Sequence, residues 1–269
     1  MSWQTVARKD IRDSIRSRGL WALLALFGLL VAVFAYVGWV DEGSAVEPFV
    51  MLTAEGFGII VPIVAIVIGY KAVIEERRSG TIALLLSFPH TRRDIVLGKF
   101  VGRALVLAVP ILLALGAMFA VVVTLYDNPP VGSYLLFVGL NVVYGVAFLA
   151  IAIGLSMVLR SGRQVTAGAF GAYIILVMFW DALITVLWRF NPPNLQLPDW
   201  ALLVQLASPV ESYNRIVDAL FDLEPGLTPT LSSAEAPWYV GPEVAFVVLM
   251  VWIGLTLGLG YAQFRRTDL

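Results

Sequence analysis

Leu20 to Val40 reads LWALLALFGLLVAVFAYVGWV, 21 residues without a charge. A helix needs about 20 apolar residues to cross a hydrocarbon core about 30 Å thick, so this stretch can span a bilayer. It is too long for a signal-peptide core and runs into Asp41 and Glu42 rather than a small-residue cleavage site. It therefore reads as a retained helix. The remaining composition agrees: 59% of the 269 residues are hydrophobic, 14% are charged, and the mean hydropathy is +0.87. So little charge cannot cover the exterior of a soluble globule. Soluble folds are excluded, and the expected fold class is an all-α integral membrane protein.

Five more apolar runs follow, at about 56–74, 100–126, 134–159, 165–188 and 243–264. The expected organisation is an interfacial segment at 1–19 and a six-span transmembrane domain at 20–269. Basic residues are held on the cytoplasmic side of a membrane, and sixteen of the eighteen Lys and Arg lie on one face of this topology, leaving only Arg189 and Arg215 on the other. Both termini are therefore expected in the cytoplasm of a multi-pass cell-membrane protein. Twelve of the nineteen acids fall on the outer face. An acidic exterior with three Lys to fifteen Arg is compatible with a prokaryotic halophile, and high-GC codon usage gives the same ratio.

The same inventory removes several classes of function. A net charge of −1 offers no basic face to neutralise phosphates, so no nucleic-acid partner is expected. With no cysteine, disulfides, zinc ribbons, Fe–S clusters and thiol nucleophiles are excluded, and the single His90 rules out any site needing two imidazoles.

Outside the spans, residues 2 to 18 place Trp3, Val6, Ala7, Ile11 and Ile15 three and four apart, with Arg8, Lys9, Arg12 and Arg16 opposite. This is the pattern of an amphipathic helix lying in the headgroup region. A frayed basic N-terminus is the plainer alternative. The extracytoplasmic loop 189–242 holds two more short helical patterns, at 200–207 and 210–221, read as helices lying on or dipping into the outer leaflet.

The richest polar stretch, residues 75–99, reads EERRSGTIALLLSFPHTRRDIVLGK. Ser79-Gly80 breaks the charged helix end that precedes it. Thr81 to Ser87 is too short to cross a bilayer and too apolar for water, and Phe88-Pro89 ends it. Such a segment wants a protein partner. Thr91 and Asp94 have capping-box spacing, opening the helix that becomes the third span.

In order and spacing this stretch resembles the signature between the second and third spans of the permease subunits of ABC-2 type ATP-binding-cassette transporters, NosY-like permeases included. The residues that carry the resemblance are Glu75-Glu76-Arg77, Gly80-Thr81, Leu84-Leu85-Leu86-Ser87, Pro89, Arg92 and Gly98-Lys99. The six spans, the N-terminal helix and the outer helices extend it across nearly the whole chain. The resemblance implies a coupling helix that docks into a groove of an ATPase subunit. Thr81, Leu84, Leu85 and Leu86 would form its apolar surface, with Glu75, Glu76, Arg77 and Arg92 as the orienting rim. The charges alone are also what a solvated helix end with a positive-inside flank would carry.

No G-x-x-x-x-G-K-[ST] occurs; Gly98-Lys99 is followed by Phe100. The resemblance thus implies that ATP and Mg are bound by a separate ATP-binding subunit, with no cofactor and no catalytic residue in this chain. It further implies pairing with a second permease chain, identical or similar, and movement of a substrate outward across the membrane. Two other classes compete. One is a non-transporting membrane anchor or sensor that recruits a cytoplasmic partner through the same loop. The other is an intramembrane protease with an E-E-x-x-x-R motif, but the fourth residue after Glu76 is Gly80, and His90 has no second histidine to help it.

Single residues add little. Asp181 is the one acid inside a span, a functional candidate by default, although its place in the outer half lets it simply reach the interface. Pro62 and Pro110 lie within spans, where they suit either a moving gate or ordinary packing. The methionines show no metal-ligand spacing.

Overall fold

A computed structural model describes residues 3–40, 46–75, 91–126, 128–189, 199–223 and 237–266. The short apolar helix expected at 81–87, and with it residues 76–90, lies outside the described residues. The chain forms α1 (Trp3–Ile15), α2 (Arg18–Val40), α3 (Val46–Gly69), α4 (Arg92–Leu125), α5 (Val131–Val158) and α6 (Gly162–Tyr173). A π-helical stretch (Ile174–Phe179) carries α6 into α7 (Trp180–Arg189), followed by α8 (Asp199–Leu206), α9 (Pro209–Phe221), a 3-10 turn (Trp238–Val240) and α10 (Pro242–Arg266). No strand occurs among the described residues. Six helices are long and apolar enough to cross a membrane: α2, α3, α4, α5, α6 with its π stretch, and α10.

α5 is the mast of the bundle. It is buried along most of its length, from Tyr134 and Phe137 through Tyr144 and Phe148 to Ile153 and Met157. Lipid offers no hydrophobic drive between helices, so close approach depends on small residues. A Cβ at Gly154 would lie 2.7 Å from the Thr256 carbonyl oxygen of α10, and one at Gly69 would lie 2.8 Å from Ala152 Cβ. These positions let α10 and α3 lie directly against α5. α2 is the outermost span, buried only at Phe27, Phe34 and Gly38.

α3 departs from the apolar pattern that suggested a span to Ile74: it starts at Val46 and stops at Gly69. Ala72, Val73 and Ile74 are buried at 0–2% exposure against the protein itself, so apolar character there marks burial in the bundle rather than membrane crossing. α1 also differs in part from the expectation. Val6 and Ala7 are buried against α4, where a Cβ at Gly98 would meet Val6 Cβ at 2.6 Å, while Trp3 and Ile15 remain exposed. The middle of the apolar stripe is thus covered by protein, and only its ends are left for a bilayer.

The two loop helices pack against the bundle itself. The Trp252 indole donates to the Ala207 carbonyl at 2.8 Å, and Trp252 lies about 15 Å along α10 from Pro242 at 1.5 Å per residue. The Ser208 hydroxyl donates to the Leu176 carbonyl at 3.3 Å, inside the π stretch. Wider π turns shift the helix's own pairing and leave carbonyls open to such donors. Ser208 caps α9, and Asp222 ends it in the left-handed conformation at φ 50°. α8 and α9 therefore form a hairpin whose tip packs beside the middle of α10 and the π stretch. Pro209, Ser212, Tyr213, Val217 and Phe221 face into the bundle.

Candidate functional site

The described part of the site is the root of the 76–90 segment, where the chain leaves α3 and returns at α4. At the exit, Gly69 fits against the Leu149 carbonyl of α5. The chain then turns, and the backbone N–H groups of Val73 and Ile74 donate to the Ser156 hydroxyl at 3.1 and 3.0 Å. A serine oxygen accepting the first free N–H groups of a helical turn is what an N-cap does. Here the cap comes from a different helix. The Arg103 guanidinium donates to the Ile68 carbonyl, covering one of the last carbonyls of α3. Glu75 is exposed at the edge of the segment.

At the return, the expected capping box is present. Asp94 N–H donates to the Thr91 hydroxyl oxygen at 3.1 Å, and Thr91 N–H donates to Asp94 Oδ2 at 3.1 Å. Arg92 points to the end of α10: its Nη1 donates to the carbonyls of Phe264 at 2.7 Å and Arg265 at 3.3 Å. Its guanidinium also stands 5.6 Å over the Phe264 ring. A cation on the last carbonyls of a helix satisfies orphan acceptors and opposes the dipole. Arg92 thus ties the start of α4 to the end of α10.

α1 locks this junction from the side. Gly98 and Gly102 form a small-x-x-x-small stripe on which α1 rests, a Cβ at Gly102 meeting the Ala7 carbonyl at 3.1 Å. Asp10 then sits between Lys99 Nζ at 3.6 Å and Arg103 Nε at 3.4 Å. Lys99 is only 4% exposed. Asp10 Oδ2 and Arg103 Nε are buried without an aligned hydrogen bond, so their attraction is Coulombic. The Gly-Lys pair thereby serves packing and charge pairing between α1 and α4.

Of the ten residues expected to dock a partner, Glu75 and Arg92 flank this root. Glu76, Arg77, Gly80, Thr81, Leu84, Leu85, Leu86 and Pro89 lie outside the described residues. Asp181 falls on α7, and its side chain is likewise outside them. The structure brings together Asp10, Ser156, Lys99 and Arg103, none of which sequence reading singled out as a site. Gly98-x-x-x-Gly102 was the available signal for the α1 contact; Ser156, 83 positions from Val73, carried none. Among the described residues no group of His, Asp and Glu could hold a metal ion.

Comparison with known proteins agrees with this architecture. The family model described as ABC-2 family transporter protein matches residues 4–269. The chain is 30% identical over 275 residues to a protein of Stutzerimonas stutzeri named probable ABC transporter permease protein NosY, covering 97% of both. A protein of the same name from Pseudomonas aeruginosa is 29% identical over 274 residues, again with 97% of both covered. With six spanning helices and a family match over almost its full length, this multi-pass membrane chain is a transporter permease and belongs to the ABC-2 family.

Proposed function

We propose that this permease couples ATP hydrolysis on a separate ATP-binding subunit to outward movement of a substrate, with segment 75–91 as the docking element. The observation that carries this is the collar at the root of that segment. Ser156, Arg103, Asp10 and Arg92 fasten its two ends to α5, α4, α1 and α10. A segment so rooted passes a push from below into several spans at once, as a rigid-body change between two states requires. Thr81, Leu84, Leu85 and Leu86 supply the apolar docking surface, and Glu75, Glu76 and Arg77 its rim. Arg92 holds the returning end.

ATP and Mg belong to the partner, and a second permease chain completes the translocation unit. The basic end with α1 and both termini faces the cytoplasm, where sixteen of eighteen Lys and Arg would obey the positive-inside bias. Purification from the native host in mild detergent, with ATPase assay, tests the reading. An ATP-binding subunit should accompany the native chain and be lost with Leu85→Asp. A chain that comes down alone, or keeps its ATPase with that charge in place, removes the docking assignment.

A further inference from the structure

Pro62 lies inside α3, and proline has no N–H to give the carbonyl four residues earlier, that of Gly58. The Tyr144 hydroxyl of α5 donates to that same carbonyl at 2.9 Å. Two neighbouring carbonyls of α3 receive phenols as well. Tyr213 of α9 reaches Ala54 at 3.4 Å, and Tyr173 of α6 reaches Ile59 at 3.5 Å. The single Tyr213 hydroxyl hydrogen is shared between the Ala54 carbonyl and Asn141 Oδ1, at 3.2 Å, and the Tyr213 ring stacks on Tyr144 with centroids 4.4 Å apart and planes 23° apart. Tyr144, Tyr213 and Asn141 are all fully buried.

A proline inside a helix is the ordinary place for a sharp bend, because the missing bond frees the two halves to change their angle. In a membrane the freed carbonyl must find another donor within the protein. That donor then determines which bend is stable. α3 is also the helix that delivers the chain into the docking segment, and α9 is part of the hairpin on the far side of the bend. We infer that Tyr144 is a positioning residue that holds α3 in one bend at Pro62, with Tyr213 tying that bend to the hairpin. The aim of the docking segment and the seating of the hairpin are thereby set at one joint. This rests on the reading of segment 75–91 as the docking element.

The chain has no cysteine, so spin labels at Lys71→Cys and Arg163→Cys, both exposed sites, report the angle of α3 below the joint. The native chain in detergent should give one narrow distance, and Tyr144→Phe should add a second population. Pro62→Ala restores an N–H for the Gly58 carbonyl, so Tyr144→Phe in that background should leave the distance single. Loss of folding in Tyr144→Phe that Pro62→Ala rescues supports the same conclusion. An unchanged distribution in Tyr144→Phe, or equal broadening or equal loss of folding with Pro62→Ala, overturns it. A second arm adds a non-hydrolysed ATP analogue to the complex with the co-purifying ATPase. If the distance there ignores nucleotide while the four-variant cycle behaves as expected, the joint stands and the docking reading fails.

Discussion

The Ser156 hydroxyl accepts the backbone N–H of Val73 at 3.1 Å across 83 residues of sequence, and that of Ile74 at 3.0 Å. One side chain of the central helix thus seats the point where the chain leaves α3. Both N–H groups are otherwise buried, with Val73 and Ile74 at 1% and 2% exposure.

Ser156→Ala leaves those two donors without an acceptor. Unmade hydrogen bonds of buried groups cost about 1–3 kcal/mol each, so the variant should melt several degrees lower in detergent, with little change in α5 itself. Ser156→Cys, whose sulfur accepts weakly, should fall between the two. Equal melting of Ser156→Ala and the native chain would mean that the turn at Val73 finds other partners.

Asp10 pairs with Lys99 and Arg103 at the contact between α1 and α4. Removing the acid from a buried ion cluster leaves its cations less fully compensated, at a cost on the order of 3 kcal/mol. Asp10→Ala should therefore destabilise more than Asp10→Ala with Lys99→Met, in which no ammonium is left buried. Thermal midpoints of the two variants and of Lys99→Met alone form the cycle. A double variant no better than Asp10→Ala would show that the pair contributes through shape rather than charge.

How much of this was open to sequence reading depended on range. The uncharged run from Leu20 to Val40 and the Thr91–Asp94 box are local patterns, and both stand in the structure as read. Apolar Ala72, Val73 and Ile74 misled because a residue buried against α5 and one facing lipid look alike in hydropathy. The stripe of α9 through Tyr213 and Val217 was visible, but its partner was not: periodicity shows that a face is buried, not whether lipid, headgroups or another helix covers it. Ser156 and Asp10 became legible only when folding placed them beside Val73 and Lys99.

Asp218 on α9 lies beside Arg215, yet burial outweighs that cation and pushes the carboxyl from 3.8 up to about 6. The fold thus favours the protonated form relative to the unfolded chain. Its contribution is fully present below the unfolded value of 3.8 and is lost as pH rises through about 6. Acidification from about pH 8 to about pH 5 should therefore raise the melting temperature of the native chain relative to Asp218→Asn, which cannot titrate there. Parallel pH profiles for the two would remove Asp218 as the source.

The crossing of α5 and α10 gives a prediction with its own control. A Cβ at Gly154 would come within 2.7 Å of the Thr256 carbonyl oxygen, and main chain cannot rotate out of the way. Gly254 on α10 has nothing within 4 Å of the corresponding position. Gly254→Ala should then be neutral or stabilising by about 0.5–1 kcal/mol, because a helical glycine gives up more chain entropy than alanine. Gly154→Ala must instead push α10 outward, and overpacking of this kind costs about 1–3 kcal/mol. The displaced helix also carries Trp252, whose indole holds the hairpin at Ala207, and Phe264, whose carbonyl holds Arg92. One added methyl should therefore loosen both ends of the bundle, read as faster hydrogen exchange at α9 and at the first turn of α4. Normal exchange at both sites in a folded Gly154→Ala protein would show that α10 moves without taking the hairpin or the start of α4 with it.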